Sequence, residues 1–288
     1  MNKNRFFDFK NISSSEADLY VYGEIVLEKG IDFWTGEENE TDVGLMDFKE
    51  ELDNIGNVQK LNLYLNSPGG SVFVASTMVS MLQRLKDKGT TIDAYVDGLS
   101  ASACSFLMMV ADNINLYKNS TVMVHKPMSW AIGNVNDMQK EIDKLNKVED
   151  SVMIPLYMNK AKVSEEEIRS LIDAETWLSA KDMDKYFNVT LLDTEKTAVA
   201  KVKSDLFKNY KNVPETIKNS LENEEKIEKS TEKEQKEDEI DQKTAENEQK
   251  VENKEDLVEK QEKEQEIKAK LGLIRSSLIL KNIKKEGN

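Results

Sequence analysis

The 288-residue chain carries a formal net charge of −14, with 39% hydrophobic and 33% charged residues. That balance divides the chain into a folded part and a solvated part and sets it against general nucleic-acid binding, which needs a basic surface. Its one cysteine, Cys104, excludes an internal disulfide and a cysteine-rich zinc site and fits a reducing compartment; the opening residues show no apolar h-region and no apolar run is long enough to span a bilayer, so neither a secretory signal nor a membrane helix is expected.

Taken in chain order, "DLYVYGEIV" reads as a strand and "VQKLNLYLN" as a second, its leucines alternating with polar residues. "VFVASTMVSMLQRLKDKG" has helical periodicity and a glycine stop at Gly89. "TTIDAYVDG" is a third strand ending at Gly98, and "SACSFLMMVAD" a short, mostly apolar helix, buried if formed. "NINLYKNSTVMVH" holds one or two strands. "NVNDMQKEIDKLNKVEDSVMIPLYMNKA" is a long amphipathic helix with a bend expected at Pro155. Ser164 with Glu167, and Ser179 with Asp182, are capping signals for two further helices. Repeated strand–helix units predict an α/β fold with a mainly parallel sheet and helical cover.

Composition changes near residue 213. From about 222 to 267 the text is mostly Glu, Lys, Gln, Asn and Asp, with Ile227, Ile240, Val251, Leu257, Val258 and Ile267 too sparse for a heptad seam, which predicts disorder or a loose polar helix. The end, "IKAKLGLIRSSLILKNIKKEGN", is basic, with Leu271, Ile274 and Leu278 at near-helical spacing, a pattern suited to a partner surface or an acidic lattice.

Four short stretches carry the chemistry. "NSPGG" sits between a strand and a helix, where glycines allow backbone N–H groups to converge on a phosphate or an oxyanion. "VDGLSASACSF" is a strand–turn–helix junction of the kind that exposes a nucleophilic serine, with Ser100, Ser102 and Ser105 all eligible. "STVMVHKP" ends an apolar strand on His125, the only histidine in the chain and the natural base for a serine hydroxyl. "LIDAETWLSA" offers Asp173 and Glu175, either of which could orient an imidazole.

Those stretches, in that order, resemble the Clp protease proteolytic subunit family, which shares the Clp/crotonase fold; "NSPGG", "GLSASACSFLMMVAD", "VMVHKP" and "TWLSAKDMDKYFNVTLLD" carry the likeness over residues 18–195. The acid-Thr-Trp form is closest to Clp-like head maturation proteases of tailed phages and prophages. The resemblance implies a Clp/crotonase-like fold of repeated β-β-α units with a protruding helical handle. Together with the change in composition, it divides the chain into an N-terminal segment (1–17), a Clp-like serine protease domain (18–200), a charged tail (201–267) and a basic amphipathic segment (268–288). It assigns the nucleophile to Ser102, the base to His125 and the third triad place to Glu175, with Asp173 as the fallback, and the oxyanion donors to the backbone of Gly70 and Ala103. It implies an ATP-independent serine endopeptidase that cleaves capsid or scaffold polypeptides in the host cytoplasm or prohead, forms a homo-oligomeric ring through the handle, and needs no metal or organic cofactor; charge and hydropathy add no nucleic-acid and no membrane partner. The alternatives are a housekeeping Clp subunit working with an ATPase, a crotonase-like acyl-CoA enzyme, and an inactive assembly platform.

Overall fold

The computed structural model describes residues 5–28, 43–194, 204–219, 221 and 263. Among them, β1 (Phe7–Lys10) and β2 (Glu16–Tyr22) open the sheet, followed by α1 (Leu45–Asn54), β3 (Lys60–Ser67), α2 (Val72–Asp87), β4 (Thr91–Ala101) and α3 (Cys104–Val110). Then come β5 (Asn113–Leu116), β6 (Thr121–Val124), α4 (Val135–Val148), a π-helical turn (Glu149–Met153), α5 (Ile154–Met158), α6 (Glu165–Asp173), β7 (Thr176–Ser179), α7 (Ala180–Tyr186), β8 (Thr190–Leu191) and a 3₁₀ turn (Asp205–Asn209). The strand order is β1-β2-β3-β4-β5-β8, and β6 leaves this path to pair with both β4 and β7. Only β1–β2 and β6–β7 are antiparallel. This is the expected mainly parallel α/β architecture.

Alternation decides which face of each central strand is buried. Leu61, Leu63 and Leu65 of β3 and Ile92, Ala94 and Val96 of β4 point into the core, while Tyr20, Tyr64 and Tyr95 lie in register on the other face and stack with centroids 4.7 and 5.3 Å apart. The core face is covered by α2, through Val74, Ala75, Met78, Val79, Leu82 and Leu85, and by α3, in which every residue is buried. Each such large apolar side chain contributes about 1.5–3 kcal/mol. Ser71 caps α2, its hydroxyl accepting from the amide of Val74, and Gly89 ends the turn after α2 in a left-handed conformation. By contrast α4 buries none of its residues, leaves Val135, Met138 and Ile142 exposed along one stripe, and forms the handle.

Three expectations are corrected, and the bend expected at Pro155 takes a specific form. The sheet begins before residue 18: Phe6 and Phe7 are buried, and β1 pairs with β2. The third strand does not end at Gly98 but runs to Ala101. Between the pairs Leu65–Val96 and Ser67–Ser100, β4 gains two residues on β3, and the Asn66 side chain catches the extra amide of Leu99 at 3.1 Å. The long helix is distorted before Pro155, where Ile154 N–H bonds back to Glu149 C=O; proline can neither donate nor tolerate the preceding turn's carbonyl, so the chain widens ahead of it. Finally, residues 204–219 are not loose tail. Tyr210 and Val213 are buried with Leu99, Ala101 and Met123 in a second, smaller cluster that Leu206, Phe207, Ile217 and Trp177 flank. Apart from residues 221 and 263, the rest of the expected charged tail and the basic segment 268–288 lie outside the described residues.

Candidate active site

Two strand ladders bring the candidate residues together. The bulge in β4 carries its last residues away from β5 and onto β6, with Leu99, Ser100 and Ala101 opposite Thr121, Val122 and Met123. The chain then turns sharply: Ser102 takes φ 53, its amide donates to Met123 C=O at 2.8 Å, and α3 follows. Non-glycine residues avoid this left-handed region, and holding one there costs about 1–3 kcal/mol. The result is that Ser102 Oγ lies 2.7 Å from His125 Nε2 at the end of β6.

The residues of "NSPGG" each have a distinct contact. Asn66 anchors the β4 bulge; the Ser67 hydroxyl donates to Gly23 C=O at 2.6 Å and accepts from Gly69 N–H at 3.1 Å; Pro68 C=O accepts from the Tyr210 hydroxyl at 2.6 Å. A Cβ on Gly69 would stand 2.7 Å from Ala101 O and 2.8 Å from Ser102 Cβ, so only glycine lets this turn touch the serine turn. A Cβ on Gly70 would stand 2.2 Å from Ile25 O, because Ile25 bridges the same turn from the other side. Among the described residues, no hydrogen bond consumes the amide of Gly70 or of Ala103. Ala103 directly follows Ser102, and Gly70 directly follows Gly69, which touches the Ser102 turn.

The two carboxylates part company. Asp173 is exposed and ion-paired to Lys126 at 2.8 Å, on the surface. Glu175 is buried, and its negative charge acts on His125. Burial holds the imidazole below its ordinary pKa of 6.5, and Glu175 partly opposes that by favouring the cation. Glu175 has φ 48; Ser102, Glu175 and Asn11 are the non-glycine residues with positive φ among those described. Strained backbone thus occurs at both the serine and the acid.

The competing serines are otherwise engaged. Ser100 is fully buried and donates to Cys104 Sγ. The Ser105 hydroxyl donates to Ser102 C=O at 2.6 Å, so it must accept from Tyr157, 2.7 Å away. Burial raises the Cys104 thiol to about 11, which makes it a poor nucleophile.

Sequence reasoning missed a further set. The Tyr210 ring meets His125 edge-on at 5.2 Å, and the amides of Lys211 and Asn212 donate to Glu175 Oε1 at 2.5 and 2.7 Å. The signal was Leu206, Phe207, Tyr210, Val213 and Ile217, an apolar set with helix-like intervals just before the charged run.

Residues 21–189, more than half of the chain, match the family model described as Clp protease. The chain belongs to the Clp protease family. Within that family it is similar to proteins named "ATP-dependent Clp protease proteolytic subunit". One from Bacteroides fragilis is 26% identical over 140 residues, covering 47% of this chain and 64% of the relative. One from Bacteroides thetaiotaomicron is 24% identical over 175 residues, covering 59% of this chain and 76% of the relative. A second B. fragilis relative is matched over 60% of its length, so the chain spans less than two thirds of both B. fragilis proteins. Among the described residues of this Clp-family chain, no helix is long and apolar enough to cross a membrane.

Proposed function

We propose that this chain is a serine-type endopeptidase in which Ser102 is the nucleophile, His125 the general base and Glu175 the acid that stabilises the imidazolium. The observation that carries the reading is the 2.7 Å contact between Ser102 Oγ and His125 Nε2. With its pKa held below 6.5, His125 is neutral at pH 7 and Nε2 can accept the serine proton as Oγ attacks a peptide carbonyl. The proton passes to the leaving amine, and the acyl-enzyme is released by a water that His125 deprotonates in turn. The amides of Gly70 and Ala103 would bind the oxyanion, each donor worth about 3–4 kcal/mol of barrier in serine proteases.

The test is labelling of the full chain with a fluorophosphonate probe, located by peptide mass spectrometry. We expect a single adduct on Ser102 that is lost in Ser102→Ala. Labelling that persists in Ser102→Ala, or none in the parent, overturns the assignment.

As substrate we propose capsid or scaffold polypeptides of a phage head, cleaved without ATP by a homo-oligomer. The acid-Thr-Trp sequence supports the head-protease reading, and the exposed stripe Val135, Met138 and Ile142 on α4 supports assembly through the handle. The relatives' name, which includes "ATP-dependent", favours a second reading, an ATP-driven subunit. Co-expression with capsid and scaffold proteins, with and without an unfolding ATPase, separates the two: the first requires capsid-protein cleavage without ATP, the second ATP-stimulated degradation.

A further inference from the structure

The segment Ser204–Asn219 follows the matched family region and packs against the candidate site rather than away from it. Val213 and Tyr210 bury themselves against Leu99, Ala101 and Met123, the residues that precede Ser102 and His125 on β4 and β6. Ser204 adds a hydrogen bond to Glu24 at 2.7 Å. The segment therefore behaves as a strap seated on the two strand ends that deliver the serine and the histidine.

Its polar contacts fall on the machinery. Tyr210 donates to Pro68 C=O, directly before the two glycines, and lays its ring edge against the imidazole. The consecutive amides of Lys211 and Asn212 converge on one oxygen of Glu175, and the Asn212 side-chain amide donates to the backbone carbonyls of Ala174 and Glu175 at 3.0 and 3.2 Å. Two converging backbone donors form a small anion-binding nest. Glutamate has one more rotatable bond than aspartate, so an unclamped Glu175 could swing away from His125. Fixing Oε1 removes that freedom and leaves Oε2 unoccupied by the strap. Ser102 remains partly exposed beneath this arrangement, so the strap lies beside the nucleophile and does not seal it.

We infer that the strap is an integral part of the active site, in which Tyr210 positions His125 and the Pro68–Gly70 turn, and the Lys211 and Asn212 amides position Glu175. This rests on the serine-peptidase reading above. The opposing possibility is that the strap is a plug whose removal activates the enzyme.

Because His125 is the only histidine, its imidazole C–H resonance gives one unambiguous titration in the full chain. Three proteins are compared: the parent, Tyr210→Phe, which removes only the hydroxyl, and Val213→Asp, which puts a charge into the strap's buried anchor and undocks it while the main core stays intact. Fold is checked by circular dichroism. In Val213→Asp the imidazole regains solvent and we expect its midpoint to rise toward 6.5. The fluorophosphonate rate should fall at least tenfold. In Tyr210→Phe we expect a roughly fivefold slower rate, the equivalent of one neutral hydrogen bond. A faster rate in Val213→Asp, or an unchanged rate and midpoint, overturns the strap's positioning role. Absence of labelling in the parent overturns the peptidase reading instead, and the histidine titration still reports whether the strap engages the site.

Discussion

His125 and Glu175 occupy the positions one step beyond Val124 and Thr176, the final pair of the antiparallel ladder between β6 and β7. Neighbouring strands lie about 5 Å apart, so the ladder register alone sets an acid beside the imidazole. The parallel ladder on the other edge of β6, ending at Ala101 and Met123, does the same for Ser102.

That relationship predicts different outcomes at the two acids. Glu175→Gln should slow labelling and peptide hydrolysis by on the order of a hundredfold or more, since the imidazolium loses its charge partner. Asp173→Asn should change the rate by less than about twofold, because it removes only an exposed pair with Lys126. Comparable losses in both variants would contradict the assignment.

The pH profile follows from the direction of the His125 shift. Catalysis needs the neutral ring, so the rate should rise with pH and reach half its maximum below 6.5, at a more acidic pH than for a solvated histidine. Glu175 favours the cation; in Glu175→Gln the midpoint should move further down, even as the plateau falls. A profile centred above 6.5 in the parent would count against the buried, neutral base.

The two glycines should fail in different ways. Gly69→Ala pushes a methyl group into the serine turn and should abolish labelling; Gly70→Ala pushes one into Ile25 and should destabilise the fold. Both also place alanine at positive φ, so a loss of at least about 1 kcal/mol in urea unfolding is expected for each. Wild-type labelling in Gly69→Ala would show that the serine turn does not need this contact.

Ser105→Ala separates structural from chemical serines. It strands the buried Tyr157 hydroxyl and should cost about 1–3 kcal/mol of stability by denaturant titration. The probe should still label Ser102. Loss of labelling in a folded Ser105→Ala protein would reopen the choice of nucleophile.

Assembly is tested on the handle. Ile142→Glu puts a charge into the exposed apolar stripe of α4, which contributes nothing to the protomer core. Light scattering should report smaller particles with unchanged secondary structure, and particles of unaltered mass would remove the handle from the interface.

Much of this molecule was legible in one dimension because the relevant forces are local. Alternating leucines name the β3 core face, Ser164 and Ser179 announce helix starts through bonds to residues three positions on, and "CSFLMMV", apolar but for Ser105, is a buried helix wherever it lies. The sequence likewise determined which stretches carry reactive groups, because strand ends, glycines and a lone histidine are themselves local facts. What local chemistry left open were choices made by partners distant along the chain, of which the family resemblance assigned Ser102 and Glu175 but not the docking of Tyr210. Ser102 stands apart from Ser100 and Ser105 only through the register between β4 and β6, and Glu175 from Asp173 only through burial and the competing Lys126. The docking of Tyr210 depends on an apolar patch that exists only after β4, β6 and β7 have met. Hydrogen bonds spanning 23 residues between Ser102 and His125, and 142 between Tyr210 and Pro68, are set by tertiary packing, for which no periodicity in the text is a substitute.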